Sequence, residues 1–169
     1  YNIYYESTTQ PATFENCEVT DAVGDGIFFY NSTPAIASSS ITDNGGYGIF
    51  LDGTSNPVIG NSITATCNLF GNGLYEVYNN TSNNIDARNN YWGSGDSAMI
   101  ASRIFDYYDN TSLGVVVFED FAQLPSMPAG TTLLSLTVCY PERLLDMESA
   151  LVEISALVGP PIIHTPTNS

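Results

Sequence analysis

The chain has 169 residues, 43% of them hydrophobic and only 12% charged, so it can bury a sizeable core and is unlike a disordered chain. Three arginines and no lysine stand against 18 acidic residues, and the formal charge of −15 disfavours nucleic acid and anionic lipid surfaces as partners. Because no run reaches the roughly 18 apolar residues that span a bilayer, no membrane insertion is expected.

A repeat of about 22 positions runs through the first half of the chain. Val19, Ile41 and Ile63 are each 22 residues apart, and Gly26 and Gly48 show the same spacing. Two further sets keep the same phase, namely Phe14, Ile36 and Ile59, and Ile3, Ile27 and Ile49. We therefore expect Val19, Ile41 and Ile63 to lie directly over one another.

Each repeat holds three short segments of alternating polarity, separated by Gly, Asn, Asp or Pro, which is typical of strands joined at corners. Such strands become buried only when the next unit stacks on them at about 4.8 Å. The pattern predicts an all-β fold, a short right-handed parallel β-helix of about 3.5–4 rungs. A leucine-rich horseshoe would need regular leucines and a helix in each repeat, and neither is present.

The third repeat is less regular than the first two. It is expected to resume after a three-residue insertion at Gly73, the counterpart of Gly48, and residues 85–91 are expected to begin a fourth unit. The repeats resemble the right-handed parallel β-helix repeats of the pectate-lyase-like superfamily, in particular the short N-x-I-x-x-N-x-x-G-I type of secreted and surface proteins. The resemblance covers roughly residues 1–122 and implies the fold rather than one activity, since this scaffold hosts lyases, hydrolases, adhesins and stalks.

The run NNIDARNNYWGS at residues 83–94 is expected to close the coil. Its Asn-Asn pair suits a corner, because Asn tolerates the left-handed region. We expect Tyr91 to take the inward slot of the Val19 column and the chain to leave the coil at Trp92. Trp92 is a candidate for stacking on a sugar ring.

The residues that follow are predicted to form a cap. Asp96 or Ser97 would begin a helix over residues 98–107. Its apolar side, which would lie over the last rung and shield the strand edges, consists of Met99, Ile100, Ile104 and Phe105. The segment from Asn89 to Phe118 resembles the end of β-helices in large bacterial surface proteins, with a short helix followed by a Val-rich strand.

Residues 123–130 contain two prolines and a glycine and are predicted to be a linker. Residues 131–169 are predicted to form a β extension or part of a β-sandwich module, because their order is similar to the opening strands of carboxypeptidase-regulatory-like modules. Residues 141–158 fit both a helical stripe and alternating strands. An incomplete sandwich would leave edges for strand addition by another subunit.

Catalytic groups are sparse in the sequence. In the superfamily that the repeats resemble, the polysaccharide lyases use carboxylates with Ca²⁺ and a basic residue. In this chain, the repeat places neither Arg88 nor Arg103 beside an acidic cluster. No Asp-Asp pair suggests an inverting hydrolase, and the single histidine, His164, lies alone in the tail. We therefore predict a non-enzymatic protein without a cofactor.

Two kinds of modification or ion site remain as candidates. Asp21 and Asp43 occupy equivalent positions in successive units and are candidate Ca²⁺ ligands, although they can equally splay into solvent. Four Asn-x-Ser/Thr sequons, all in predicted loops, are candidate glycosylation sites, at Asn31, Asn79, Asn80 and Asn110. The odd set of cysteines favours buried free thiols over a disulfide framework, and its members are Cys17, Cys67 and Cys139.

The predicted function is that of an extracellular or cell-surface structural protein, such as a stalk, adhesin segment or filament subunit. Because Tyr1 lies in the middle of a repeat, we expect a processed form or a fragment whose open end stacks on another copy, and open head-to-tail stacking makes filaments. The alternatives are a fragment of a polysaccharide lyase or hydrolase, and a carbohydrate-binding β-helix that uses exposed Tyr and Trp.

Overall fold

The computed structural model describes residues 1–6 and 12–127. Within them the chain forms short strands and one helix, α1 (Ser97–Ala101). The strands in chain order are β1 (Ile3–Glu6), β2 (Thr13–Glu15), β3 (Glu18–Thr20), β4 (Ile27–Tyr30), β5 (Ala35–Ala37), β6 (Ser40–Thr42), β7 (Ile49–Asp52), β8 (Val58–Ile59), β9 (Asn68–Phe70), β10 (Val77–Asn79), β11 (Ile85–Asp86), β12 (Ile104–Phe105) and β13 (Val116–Val117).

All the strand pairs are parallel, and they build three sheets along one coil. Sheet A has the order β1-β4-β7-β10-β12, sheet B the order β13-β11-β8-β5-β2, and sheet C the order β3-β6-β9. Each of the first three turns therefore contributes one strand to each sheet, and the later turns add strands to sheets A and B. This confirms the predicted all-β parallel β-helix, with about four turns.

The inward column of sheet C agrees with the repeat in only two of its predicted members. Val19 pairs with Ile41, and both are buried. On its other side Ile41 pairs with Leu69 rather than with the predicted Ile63. The prediction for Ile63 is wrong, because its side chain is 86% exposed. The third turn carries extra residues between Ile59 and Leu69, and these loop out in a turn closed by the Ala65 N–H bonding to the Ser62 carbonyl at 3.0 Å.

The same insertion shifts the register of sheet A. Ile49 pairs with Val77, so Glu76, not Gly73, is the counterpart of Gly48. The predicted equivalence of Gly73 and Gly48 is therefore wrong. By contrast, the predicted phases at Ile3, Ile27 and Ile49 and at Phe14, Ile36 and Ile59 are confirmed by direct pairing.

The corners use residues that tolerate the left-handed region. After sheet B the chain turns through Asn16, Ser38, Asn61 and Asn89, which have φ between 48° and 61°. Asn and Asp adopt this conformation more readily than other residues with a Cβ. The expected corner role of the Asn89-Asn90 pair is confirmed: Asn89 supplies the turn, and the buried Asn90 Nδ2 donates to the Ile59 carbonyl at 2.7 Å.

Buried amides stack between sheets C and A. The Asn44 Oδ1 accepts from the Ala22 N–H at 3.0 Å, while its Nδ2 donates to the Asn72 Oδ1 at 2.9 Å. Gly48 has to be a glycine here, because a Cβ would lie 2.6 Å from the Asn72 Nδ2. The ladder ends at the buried Glu76 carboxylate, which accepts from the Asn72 amide and pairs with Arg103 at 3.0 Å.

The last turn departs from the predicted cap. Asn68 pairs with Tyr91, so Trp92 follows in register with Leu69 and lies in the core, 4% exposed. The prediction that Tyr91 fills the inward slot is wrong, and so is the prediction that the chain leaves the coil at Trp92. The indole fills the end of the core and packs on Phe118, and its buried Nε1 has no hydrogen-bond partner in the described part of the chain.

The predicted helix exists but is shorter than expected. Asp96 is its N-cap, and its Oδ1 accepts from the Ala98 N–H at 2.8 Å. Helix α1 ends at Ala101, because Ile104 and Phe105 join sheet A as β12 and continue the coil. Of the predicted apolar side, Ile100 and Ile104 are buried, whereas Met99 is 60% exposed.

Cys17 is partly buried and Cys67 buried, and both thiols are free, as predicted. No helix in the described part of the chain is long and apolar enough to cross a membrane. The predicted 131–169 extension, the alternatives for 141–158, Cys139 and His164 lie outside the described residues.

Candidate functional site

The outward face of sheet A carries an aromatic side chain on every strand. Successive residues of a strand point to opposite faces, so the residue after each inward Ile or Val points outward. These five residues, which we call the aromatic column, are Tyr4, Phe28, Phe50, Tyr78 and Phe105. At about 4.8 Å for each strand, the column is about 20 Å long.

The rings of the aromatic column touch from one strand to the next. The ring centroids of Tyr4 and Phe28 are 5.4 Å apart, those of Phe28 and Phe50 4.8 Å, those of Phe50 and Tyr78 5.3 Å, and those of Tyr78 and Phe105 4.5 Å. Edge-to-face and stacked pairs alternate, and both geometries are favourable for aromatic rings. The column is therefore a continuous apolar strip rather than a set of separate side chains.

Tyrosines widen the strip along one edge. Tyr47 lies 4.7 Å from Tyr78, and Tyr75 lies 5.5 Å from Phe105, measured between ring centroids. Tyr1 extends the same edge beside Phe28, at 5.9 Å. The described chain thus presents at least eight neighbouring aromatic rings on one face.

Carboxylates lie on both edges of the strip. On one edge, the Glu6 Oε2 accepts from the Tyr4 hydroxyl at 2.9 Å, and Asp52 bonds to the Asn80 Nδ2 at 3.1 Å. On the other edge, the Asp25 Oδ1 accepts from the Tyr47 N–H at 2.9 Å. These contacts fix the carboxylates beside the rings.

The surroundings raise the pKa of two of these phenols. The hydrogen bond to Glu6, above other causes, raises the pKa of Tyr4. Burial raises the pKa of Tyr47, with smaller contributions from Tyr78 and Asp25. Both phenols are neutral at pH 7, as an ordinary tyrosine is. Because the Tyr4 hydroxyl donates to Glu6, it can bond to a hydroxyl-rich ligand only as an acceptor.

Both described arginines are engaged elsewhere. Arg88 makes two bonds to Asp86, from Nε at 2.9 Å and from Nη2 at 2.8 Å. This pairing raises the pKa of the Arg88 guanidinium and lowers the pKa of the Asp86 carboxyl. Arg103 pairs with Glu76 at the end of the amide ladder. A bidentate arginine with a raised pKa is a poor proton acceptor.

Asp21 and Asp43 are equivalent, as predicted, because Thr20 pairs with Thr42 just before them. Both are exposed corner residues, with φ of 57° and 55°. The described residues contain no group of three or more His, Cys, Asp or Glu that could hold a metal ion. The calcium role of Asp21 and Asp43 stays a prediction.

The four sequon asparagines differ in exposure. Asn110 and Asn80 are exposed, and Asn31 lies at a corner, where its Oδ1 accepts from the Thr54 N–H at 3.0 Å. The loop placement predicted for Asn79 is wrong: it ends β10, is fully buried, and its Nδ2 donates to the Gly114 carbonyl at 3.0 Å. A glycan on Asn79 is incompatible with this fold.

Trp92 is not available as a sugar platform, because its indole is 4% exposed and packs edge-to-face on Phe118. The sequence reasoning chose the wrong aromatic residue. A usable signal was present in the repeat itself, since Tyr4, Phe28 and Phe50 each follow an in-phase isoleucine and so recur on one outward face.

A cavity of about 340 Å³ lies away from sheet A, beside the inserted loop. Its wall combines hydroxyl side chains such as Ser38 and Thr64 with apolar ones such as Ile63 and Leu124. No acid or base lines this cavity, so it offers no group for proton transfer.

A family model described as a right handed beta helix region matches residues 1–118, well over half of the chain. No curated protein and no solved structure gives a significant match.

Proposed function

The chain belongs to the right-handed β-helix family, and we propose that it is a non-enzymatic structural protein of the extracellular space or cell surface that holds a glycan chain on sheet A. The aromatic column is the observation that carries this proposal. The C–H faces of sugar rings can pack on this apolar strip, and the phenol hydroxyls beside it can bond to sugar hydroxyls.

A stalk or adhesin segment needs a rigid scaffold with a repeated, outward surface. The β-helix supplies both, because stacked strands fix one ring per turn and the buried core holds the strands in register. The two arginines in the described residues support a non-enzymatic role, since each is paired with a carboxylate.

Binding to an insoluble or soluble glycan without turnover tests the proposal. The Tyr78→Ala variant removes the ring that contacts Phe50 and Phe105, and we expect it to weaken binding at least about tenfold, or about 1.4 kcal/mol. Tyr78→Phe keeps the ring and should retain most of the affinity.

Tyr91→Ala is the matched control, because Tyr91 is also a partly buried, outward tyrosine but lies beside Phe70 on sheet C. Unfolding of each variant, followed by the fluorescence of the buried Trp92, separates lost binding from lost folding. Equal binding by Tyr78→Ala and Tyr91→Ala would refute the sheet A site. Release of shortened sugars from the polymer would refute the non-enzymatic role.

A further inference from the structure

The charged groups at the edges of the aromatic column restrict which glycan can bind there. Glu6 is bonded to the Tyr4 hydroxyl and Asp25 to the Tyr47 N–H, while Asp52 follows Phe50 by two residues in β7 and accepts from the Asn80 Nδ2. Of the two arginines in the described residues, Arg103 is bonded to Glu76 and Arg88 to Asp86. The strip therefore combines an apolar centre with negative edges.

We propose that the aromatic column selects an uncharged, linear, equatorially linked hexose chain that lies along the coil axis, and that it rejects polyuronates. This inference rests on the proposed glycan-binding role. The rings of the column follow one another at about 4.8 Å along the coil, and an extended chain of this kind exposes C–H faces along its whole length. Successive sugars can thus meet successive rings from Tyr4 to Phe105.

Charge decides against an acidic polymer. Each uronate carboxylate on the strip would face Glu6, Asp25 or Asp52, and neither of the two described arginines is free to offset the repulsion. The repulsion is screened by salt, with a Debye length of about 10 Å at 0.1 M. Rejection of the acidic chain is therefore strongest at low ionic strength.

Charge also decides against a second copy of this chain as the occupant. Two columns packed face to face would bring the same carboxylates against each other on both edges, because a two-fold interface uses one patch twice. An uncharged polymer avoids this repulsion.

The test compares hydroxyethyl cellulose with carboxymethyl cellulose, two polymers with the same β-1,4-glucan backbone and different charge, by affinity electrophoresis and titration calorimetry. We expect binding to the neutral polymer and at least about tenfold weaker binding to the acidic one at low salt, with the difference shrinking as salt rises.

The triple variant Glu6→Gln/Asp25→Asn/Asp52→Asn removes the charges but keeps an oxygen acceptor at each position. It should gain affinity for carboxymethyl cellulose, so that the difference in affinity between the two polymers shrinks. The matched control is Glu15→Gln/Glu18→Gln/Asp21→Asn, which removes three exposed carboxylates near sheets B and C.

Equal binding of both polymers by the natural chain would overturn the charge selection and leave glycan binding standing. Binding to neither polymer would overturn the proposed function together with this inference. Dimerisation that is lost in Phe50→Ala would overturn the occupant and assign the strip to a second copy.

Discussion

Replacing Asn72 by alanine tests the amide ladder. Asn72 is 3% exposed, its Oδ1 accepts from the Asn44 N–H at 3.1 Å, and its Nδ2 donates to the Ile41 carbonyl at 3.1 Å. Its amide also bonds to the Glu76 carboxylate. The Asn72→Ala variant leaves these three buried groups without this partner.

The structure sets the expected size of the effect. A buried polar group left unpaired costs about 1–3 kcal/mol. Glu76 keeps Arg103 as a partner, so the loss at the Asn44 N–H and the Ile41 carbonyl lowers the free energy of unfolding by roughly 2–6 kcal/mol. That is a large part of the roughly 5–15 kcal/mol that stabilises an ordinary domain. With a urea m value of about 2 kcal/mol/M, a loss of about 4 kcal/mol lowers the unfolding midpoint by about 2 M.

Urea unfolding, followed by the fluorescence of Trp92 and by circular dichroism, measures the change. The matched control is Asn80→Ala, since Asn80 is an exposed asparagine whose side chain bonds only to Asp52 in the described structure, and its loss should stay within about 0.5 kcal/mol. A loss below about 1 kcal/mol for Asn72→Ala would show that the ladder does not stabilise the coil as argued.

The remaining predictions concern single residues. Leu69→Ala truncates a core residue and should lower the free energy of unfolding by about 2–5 kcal/mol. Ile63→Ala should change it by less than about 0.5 kcal/mol. Equal losses for the two variants in urea titrations would contradict the register. Burial raises the pKa of the Cys67 thiol to about 11. In a Cys17→Ser/Cys139→Ser background this thiol should therefore react slowly with a thiol reagent at pH 8 and faster as the pH approaches 11. A fast reaction at pH 8 would argue against its burial. After secretion from a eukaryotic host, peptide mass spectrometry should find Asn79 unmodified, and a glycan there in folded protein would contradict the structure. End-to-end self-association stays a prediction, which concentration-dependent size-exclusion chromatography and negative-stain microscopy check; a monomer at all concentrations would refute it.

The repeat predicted the coil because burial imposes one aliphatic residue per turn at each inward position. Those positions also hold the same phase in the first turns, as Val19 and Ile41 show. The prediction failed at Ile63 because a looped-out apolar residue happens to fall at the same spacing. Spacing alone does not distinguish it from Leu69, which follows the insertion.

The candidate site could be predicted only in part from the sequence. The outward positions of Phe28 and Phe50 follow from strand alternation, but the contacts across the third turn depend on the shifted register. The buried Asn44 and Asn72 were not predicted, since an amide becomes a core residue only when neighbouring turns supply its partners. The loop prediction for Asn79 failed for the same reason, because its partner Gly114 is far away in sequence.

Disulfide trapping measures the stacking of turns most directly. Ser40 pairs with Asn68, and the Ser40 Oγ accepts from the Asn68 Nδ2 at 2.9 Å, whereas the simple 22-residue repeat would place Ser62 beside Ser40. With the natural cysteines replaced by alanine, Ser40→Cys/Asn68→Cys should crosslink under mild oxidation, because adjacent strands bring the Cα atoms within disulfide range. Crosslinking of Ser40→Cys/Ser62→Cys instead would contradict the register on which the third turn of the coil and the continuity of the aromatic column depend.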